Sequence, residues 1–301
     1  MDVYLPIANL SVDGLVIVAL GALTGILSGL FGVGGGFLTT PLLIFYGIPP
    51  TVAAASASTQ VTGASVSGVI AHSKRRGVDY RMGAVMIGGG VIGSGFGALL
   101  FNFFRSIGQI DVVINALYVV LLGSIGLLMA KEAIQTLRGT GGSQAARRRH
   151  HPLVASLPFR WRFYGSGLYI SPLAPLIVGI VVGILTMLMG VGGGFILVPA
   201  MLYILGMSAN VVVGTSLFNI LFVTIATTIM HSVTTRAVDI VLVALLLLGS
   251  VSGAQIGSQF AVKAKPEALR LVLAAIVLLV AFRMFLGLFY RPDEIYTVYP
   301  L

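Results

Sequence analysis

The sequence predicts an all-α, polytopic membrane protein made of two inverted repeats, each a broken-helix hairpin followed by three transmembrane helices. Three observations lead there. Hydrophobic residues make up 57% of the 301 positions and charged residues only 9%, against roughly 25% charged in a soluble domain. Apolar segments follow one another along the chain, five on each side of a polar linker. The stretch Gly25–Pro41 returns 158 positions later as Gly183–Pro199, with eleven of seventeen residues identical.

The first apolar segment, 12–31, follows Asp2 and Asp13 rather than Lys or Arg, so it reads as part of the mature chain and not as a cleaved signal. Segment 36–47 spans only about 18 Å as a helix, short of a hydrocarbon core of about 30 Å. Together the two form a helix, a Gly-Val-Gly-Gly-Gly break and a short return helix that ends on the side where it began. Segments 51–72, 82–104 and 109–130 complete a first repeat over residues 1–130. Residues 131–165 form a basic linker containing Gly139-Thr-Gly-Gly-Ser143 and Arg147-Arg148-Arg149-His150-His151, a composition that does not favour a fixed fold. It closes on Phe159-Arg-Trp161-Arg-Phe-Tyr164, whose mixed aromatics and arginines suit the headgroup layer. The second repeat, 166–301, follows the same plan over 168–190, 194–206, 210–231, 238–260 and 267–290.

A hairpin plus three spans is an odd number of crossings, so the second repeat enters the membrane inverted. Charge agrees with this parity. Fourteen of the eighteen Lys and Arg residues, including Lys74–Arg76, Arg81 and Arg147–Arg149, fall on one side, leaving Arg105, Arg236, Arg283 and Arg291 for the other. The positive-inside rule then puts linker 131–165 in the cytoplasm and both termini outside it. The net charge of +9 is explained by the bilayer and calls for no nucleic acid. Zero cysteines exclude disulfides and thiolate metal sites, and no cofactor or metal site is predicted.

Two broken hairpins related by inversion bring helix N-termini together near the bilayer midplane. Their unpaired N–H groups and positive dipole ends can hold a small anion without a costly buried Lys or Arg. The candidate substrate-binding set is Gly34, Gly35, Gly36, Ser56, Thr59 and Gln60 in the first repeat. In the second it is Gly192, Gly193, Gly194, Thr215, Ser216 and Asn219. Ser56 matches Thr215 and Gln60 matches Asn219 at an offset of 159, and these polar groups recur at helical spacing. His72 and His231 match at the same offset, at the ends of their helices; they are candidates for a proton relay or for simple interfacial capping. Asp79 and Asp239 read as helix caps, and no acidic residue falls mid-span to carry a proton. Arg283, inside the last apolar segment, is placed to snorkel to the surface or to face an anion path. Gly21, Gly25 and Gly29, with Gly89, Gly93, Gly97 and their copies Gly249, Gly253, Gly257, mark close helix packing, within a protomer or in a homo-oligomer.

Leu30-Phe-Gly-Val-Gly-Gly-Gly-Phe37 with Pro41, its copy Leu188-Met-Gly-Val-Gly-Gly-Gly-Phe195 with Pro199, and Gly214-Thr215-Ser216 resemble the sulfite exporter TauE/SafE family, and the resemblance runs from about residue 15 to about 288. It implies an inner-membrane permease for sulfur-containing anions such as sulfite, sulfoacetate or related organosulfonates. One departure is that the first repeat has Ala55-Ser56-Ala57 where the second has Gly214-Thr215-Ser216. A secondary transporter or facilitator is the primary expectation, and a channel-like anion pore the alternative. An intramembrane hydrolase built on Ser65 and His72 lacks an oxyanion partner.

Overall fold

The computed structural model describes residues 2–31, 36–74, 77–137, 161–263 and 266–289. Among them, each predicted apolar segment contains one helix. The first repeat holds α1 (Gly14–Phe31), α2 (Gly36–Phe45), α3 (Pro50–Lys74), α4 (Tyr80–Ser106) and α5 (Ile110–Leu137). The second holds α6 (Leu173–Met189), α7 (Gly194–Pro199, continued by a π turn over Ala200–Ile204), α8 (Ala209–Met230, continued by a π turn over His231–Thr235), α9 (Ile240–Lys263) and α10 (Pro266–Phe289). Segments of α4, α5, α8, α9 and α10 are long and apolar enough to cross a bilayer. The chain is therefore an all-α polytopic membrane protein. Helix α3 has 25 residues but is not in that group, because its Ser, Thr and Gln side chains lower its hydropathy. Helix α5 runs past residue 130 to Leu137, and linker residues 138–160 lie outside the described ones.

Two short hairpins depart from the hydropathy reading. Strands β1 (Asp2–Leu5) and β2 (Leu10–Asp13) pair antiparallel, as do β3 (Trp161–Phe163) and β4 (Leu168–Ile170). Residues 12–13 and 168–170 were expected inside apolar segments, and Trp161–Tyr164 as an interfacial anchor. Strands of three or four residues are too short to impose a period on the sequence. Trp161 and Tyr169 are exposed, whereas Phe163, Leu168 and Ile170 are buried against Met82 and Met86 of α4.

Each hairpin is strapped to a helix of the opposite repeat. Asp79 caps α4 by accepting from the N–H groups of Arg81 and Met82, both at 3.1 Å, and its second oxygen accepts from Ser166 N–H at 2.8 Å. Asp239 caps α9 through Val241 and Leu242 and accepts from Ile7 N–H at 2.9 Å. Asp239→Ala removes the cap and the strap together. It should destabilise the detergent-solubilised protein by about 2–3 kcal/mol, with Asp79→Ala similar. An unchanged thermal midpoint in either variant would contradict this role.

The repeats interlock through backbone contact at the glycine stripes. Helix α1 lies along α9, and its counterpart α6 lies along α4. A Cβ on Gly25 would sit 2.3 Å from Ser250 O, and one on Gly253 2.2 Å from Ala22 O. On the other side, a Cβ on Gly93 would sit 2.1 Å from Ile180 O and one on Gly183 2.2 Å from Gly90 O. No side chain fits at such approaches, so these stripes serve packing between the two halves of one chain. Helices α3 and α8 pack against each other, and so do α5 and α10. Thr59 meets Thr228 at 3.2 Å and Thr62 meets Thr224 at 2.8 Å, so α3 and its counterpart α8 run antiparallel.

Candidate functional site

The second break is fully described. Gly190, at φ +73°, ends α6, and Gly192 and Gly193 follow at φ +71° and +77°. Three left-handed residues within four positions are a conformation only glycine adopts without strain. The carbonyl end of the break is satisfied by side chains. Met189 O accepts from the Tyr118 hydroxyl at 2.7 Å and from Thr40 at 3.2 Å, and Met187 O lies 3.0 Å from His231 Nε2. The N–H end differs. The hydrogen-bond ladder of α7 begins with Ile196 and Leu197 N–H on Gly193 O, so the N–H groups of Gly194 and Phe195 precede it. Covered carbonyls at Met187 and Met189 and leftover N–H groups at the start of a buried helix end are an arrangement suited to an anion rather than a cation.

The first break meets it at the centre. Gly36 opens α2; a Cβ there would lie 2.5 Å from Val61 Cγ2 and 2.7 Å from Val191 O. The other methyl of Val61, Cγ1, would lie 2.5 Å from a Cβ on Gly192, so one α3 side chain separates the two breaks. Phe37 and Phe195, the second residues of α2 and α7, stack with centroids 4.5 Å apart and planes 9° from parallel. Gly34 and Gly35 lie outside the described residues, as does the His72 side chain.

The polar candidates divide into groups with different partners. Ser56 and Thr215 are buried, and their hydroxyls accept from the N–H groups of Asp239 (3.2 Å) and Asp79 (2.9 Å). They hold helix caps across the repeat interface. Ser216 donates to Val213 O, and Thr59 is engaged by Ala55 O and Thr228. His231 was expected at a helix end near the interface, but the π turn carries the helix on to Thr235 and buries the ring. Nε2 faces Met187 O and therefore carries the proton; Nδ1 lies 3.1 Å from Thr235 Oγ1, and Phe101 packs edge-on. Nε2 ties α8 to the end of α6, while Nδ1 meets Thr235 within the same π turn.

Gln60 and Asn219 remain, each about 1% exposed. Thr39 of α2 donates to Gln60 Oε1 at 3.2 Å, which leaves the amide NH₂ as its donor. In the repeat alignment Thr39 is replaced by Leu197. Among the described residues neither the Oδ1 nor the Nδ2 of Asn219 has a partner, and both atoms are buried. A buried unpaired amide costs about 1–3 kcal/mol, so its retention needs a reason. The two amides do not converge on one point. The Thr59–Thr228 and Thr62–Thr224 pairs put them about 12 Å apart along the helix pair, at a rise of about 1.5 Å per residue. Each amide lies on the helix that follows its own break, Gln60 on α3 and Asn219 on α8.

A family model described as Sulfite exporter TauE/SafE matches residues 17–284. The chain belongs to that family. This TauE/SafE protein is 27% identical over 271 residues to the Probable membrane transporter protein YjnA of Bacillus subtilis, covering 89% of this chain and 98% of that one. It is 23% identical over 275 residues to the Probable membrane transporter protein MJ0441 of Methanocaldococcus jannaschii, covering 87% and 91%. A 48-residue stretch is 52% identical to Sulfite exporter TauE/SafE family protein 6 of Arabidopsis thaliana, covering 16% of this chain and 11% of that protein. No solved structure matches. The family and its members' names make this chain a membrane transporter.

Several residues around the breaks escape sequence reasoning. Tyr118 and Thr40 both cover the Met189 carbonyl of α6 from 71 and 149 residues away, distances no local pattern reveals. The Phe37–Phe195 stack had a signal, since the same aromatic follows each glycine cluster. So did the orphaned amide, because Thr39 and Leu197 are a mismatch within the aligned repeats.

Proposed function

We propose that this protein is a secondary transporter or facilitator of small sulfur-containing anions, sulfite, sulfoacetate or a related organosulfonate, in the inner membrane. The observation that carries the reading is Asn219: a buried amide with no partner, beside a helix whose first N–H groups are also left over. In this reading the anion binds Gly193, Gly194 and the Asn219 NH₂. The equivalent half-site uses Gly34, Gly35, Gly36 and the Gln60 NH₂. The stacked phenylalanines form the barrier between the half-sites, and a rearrangement about that barrier exposes each in turn. A carrier is favoured over an open pore because the centre is filled by Phe37, Phe195 and Val61, all buried. Purified protein in proteoliposomes should show saturable counterflow for at least one of sulfite, thiosulfate, sulfoacetate and taurine, with sulfate and a pH gradient as comparisons. Non-saturating flux of all of them would replace the carrier by a pore.

The repeats are proposed to be inverted, with linker 131–165 cytoplasmic. The antiparallel run of α3 and α8 and the fourteen-to-four charge split support this. Because the chain has no cysteine, single cysteines give a clean test. Those near Lys74 and Gly142 should label only from the cytoplasm, and one near Arg236 only from outside. Labelling of the 74–81 and 232–238 loops from the same side would overturn the inversion.

A further inference from the structure

A polar cavity with no glycine of either break in its lining lies between the C-terminal end of α2, the N-terminal end of α5 and the C-terminal end of α10. It holds about 200 Å³ and is lined by Ile44, Phe45, Asn115, Arg283, Met284 and Gly287. It shares its end of the molecule with the β1–β2 hairpin, since Asp13 N–H donates to the hydroxyl of Tyr46, next to Phe45. Arg283 lies over the Phe45 ring with its guanidinium carbon 5.4 Å from the centroid. Among the described residues no carboxylate pairs with it. Asn115 Oδ1 is buried in the same lining with no partner. A side-chain amide can present its NH₂ at that position by turning through 180°.

Neither polar group follows from the fold, because the duplication does not repeat them. At an offset of 159, Asn115 is matched by Ala274 and Arg283 by Ser124. A charged side chain within an apolar helix is costly, and this one occurs at one end only. An arginine fork and an amide across one small cavity are the donor set for a tetrahedral oxyanion. Beside the mouth, Phe282, Phe285 and Leu286 are exposed apolar surface, suited to whatever alkyl chain that oxyanion carries.

We propose that this cavity binds one phosphate or sulfonate group through Arg283 and Asn115. The group has two sources: the headgroup of an anionic phospholipid, or the transported anion held at the mouth of its path. The site includes no residue of the central half-sites, so the inference stands or falls apart from the transport reading. Two arms distinguish the sources, both in phosphatidylcholine nanodiscs. In one, native mass spectrometry counts phosphatidylglycerol molecules retained per protein; in the other, equilibrium binding of radiolabelled thiosulfate is measured without anionic lipid.

Arg283→Gln and Asn115→Leu should each weaken binding at least about tenfold in one arm. Arg283→Lys, which keeps the charge but loses the fork, should fall between them and wild type. Loss in the lipid arm assigns a headgroup, and loss in the thiosulfate arm assigns the transported anion. Wild-type binding by both variants in both arms would overturn the proposal. Size-exclusion profiles establish that each variant is folded, and having two independent variants keeps the test valid if one is not.

Discussion

Replacing Gly193 by valine should abolish anion uptake while leaving a folded, membrane-inserted protein. The residue sits at φ +77°, where a side chain costs about 1–2 kcal/mol, and its new Cβ would lie 2.4 Å from Val182 Cγ1. That neighbour is a side-chain methyl rather than backbone, so the packing can give way. The N–H groups of Gly193 and Gly194 cannot keep their aim once the turn relaxes toward negative φ. Losing two charge-assisted hydrogen bonds of about 1.5–3 kcal/mol each lowers anion affinity by more than about a hundredfold. Gly47→Ala is the control: it too has a positive φ, +96°, but nothing lies within 4 Å of an added Cβ and it is outside both breaks. Uptake by Gly47→Ala should be normal. Wild-type uptake by Gly193→Val would leave the glycines as packing residues.

Asn219→Leu should move stability and transport in opposite directions. It removes two buried polar atoms that have no partner, each a cost of about 1–3 kcal/mol to the anion-free protein, so the thermal midpoint should rise. It also removes the amide donor to the anion, so binding should weaken by about 1.5–3 kcal/mol, roughly tenfold to a hundredfold. Gln60→Leu should behave differently. It deprives Thr39 of its acceptor, so stability should fall along with transport. If Asn219→Leu were less stable than wild type with uptake intact, the amide would be a structural element and not a ligand.

The same contrast marks what a reader of the sequence can and cannot see. Helices announce themselves by long apolar runs, and their bounds in the structure fall within five residues of the segments read from hydropathy, except that α5 runs seven residues further, to Leu137. The break in α6–α7 is visible because five glycines or valines interrupt such a run, and its duplication says that it matters. Side-chain partners are another matter. Ser56 looks like a site residue on its helix face, yet its hydroxyl serves Asp239, 183 residues away; Thr215 serves Asp79 across 136. A polar group on an apolar face is equally at home in a ligand site and in a cross-repeat cap, and only the fold chooses. Gln60 and Asn219 are equivalent by alignment, yet Gln60 accepts from Thr39, and the position aligned with Thr39 in the other repeat is Leu197, which has no hydroxyl to offer. The hairpins stayed hidden for a simpler reason, their strands being three or four residues long.

The most direct test of an anion held at the glycine breaks is to see where one binds. Crystals grown in lipid with selenite, or with the selenium analogue of whichever anion shows counterflow, should give an anomalous peak at the selenium edge. That peak should lie within hydrogen-bonding distance of the Gly193 and Gly194 N–H groups and the Asn219 amide, or at the equivalent half-site by Gly36 and Gln60. A peak confined to the basic 139–151 stretch, with both half-sites empty at saturating selenite, would contradict it.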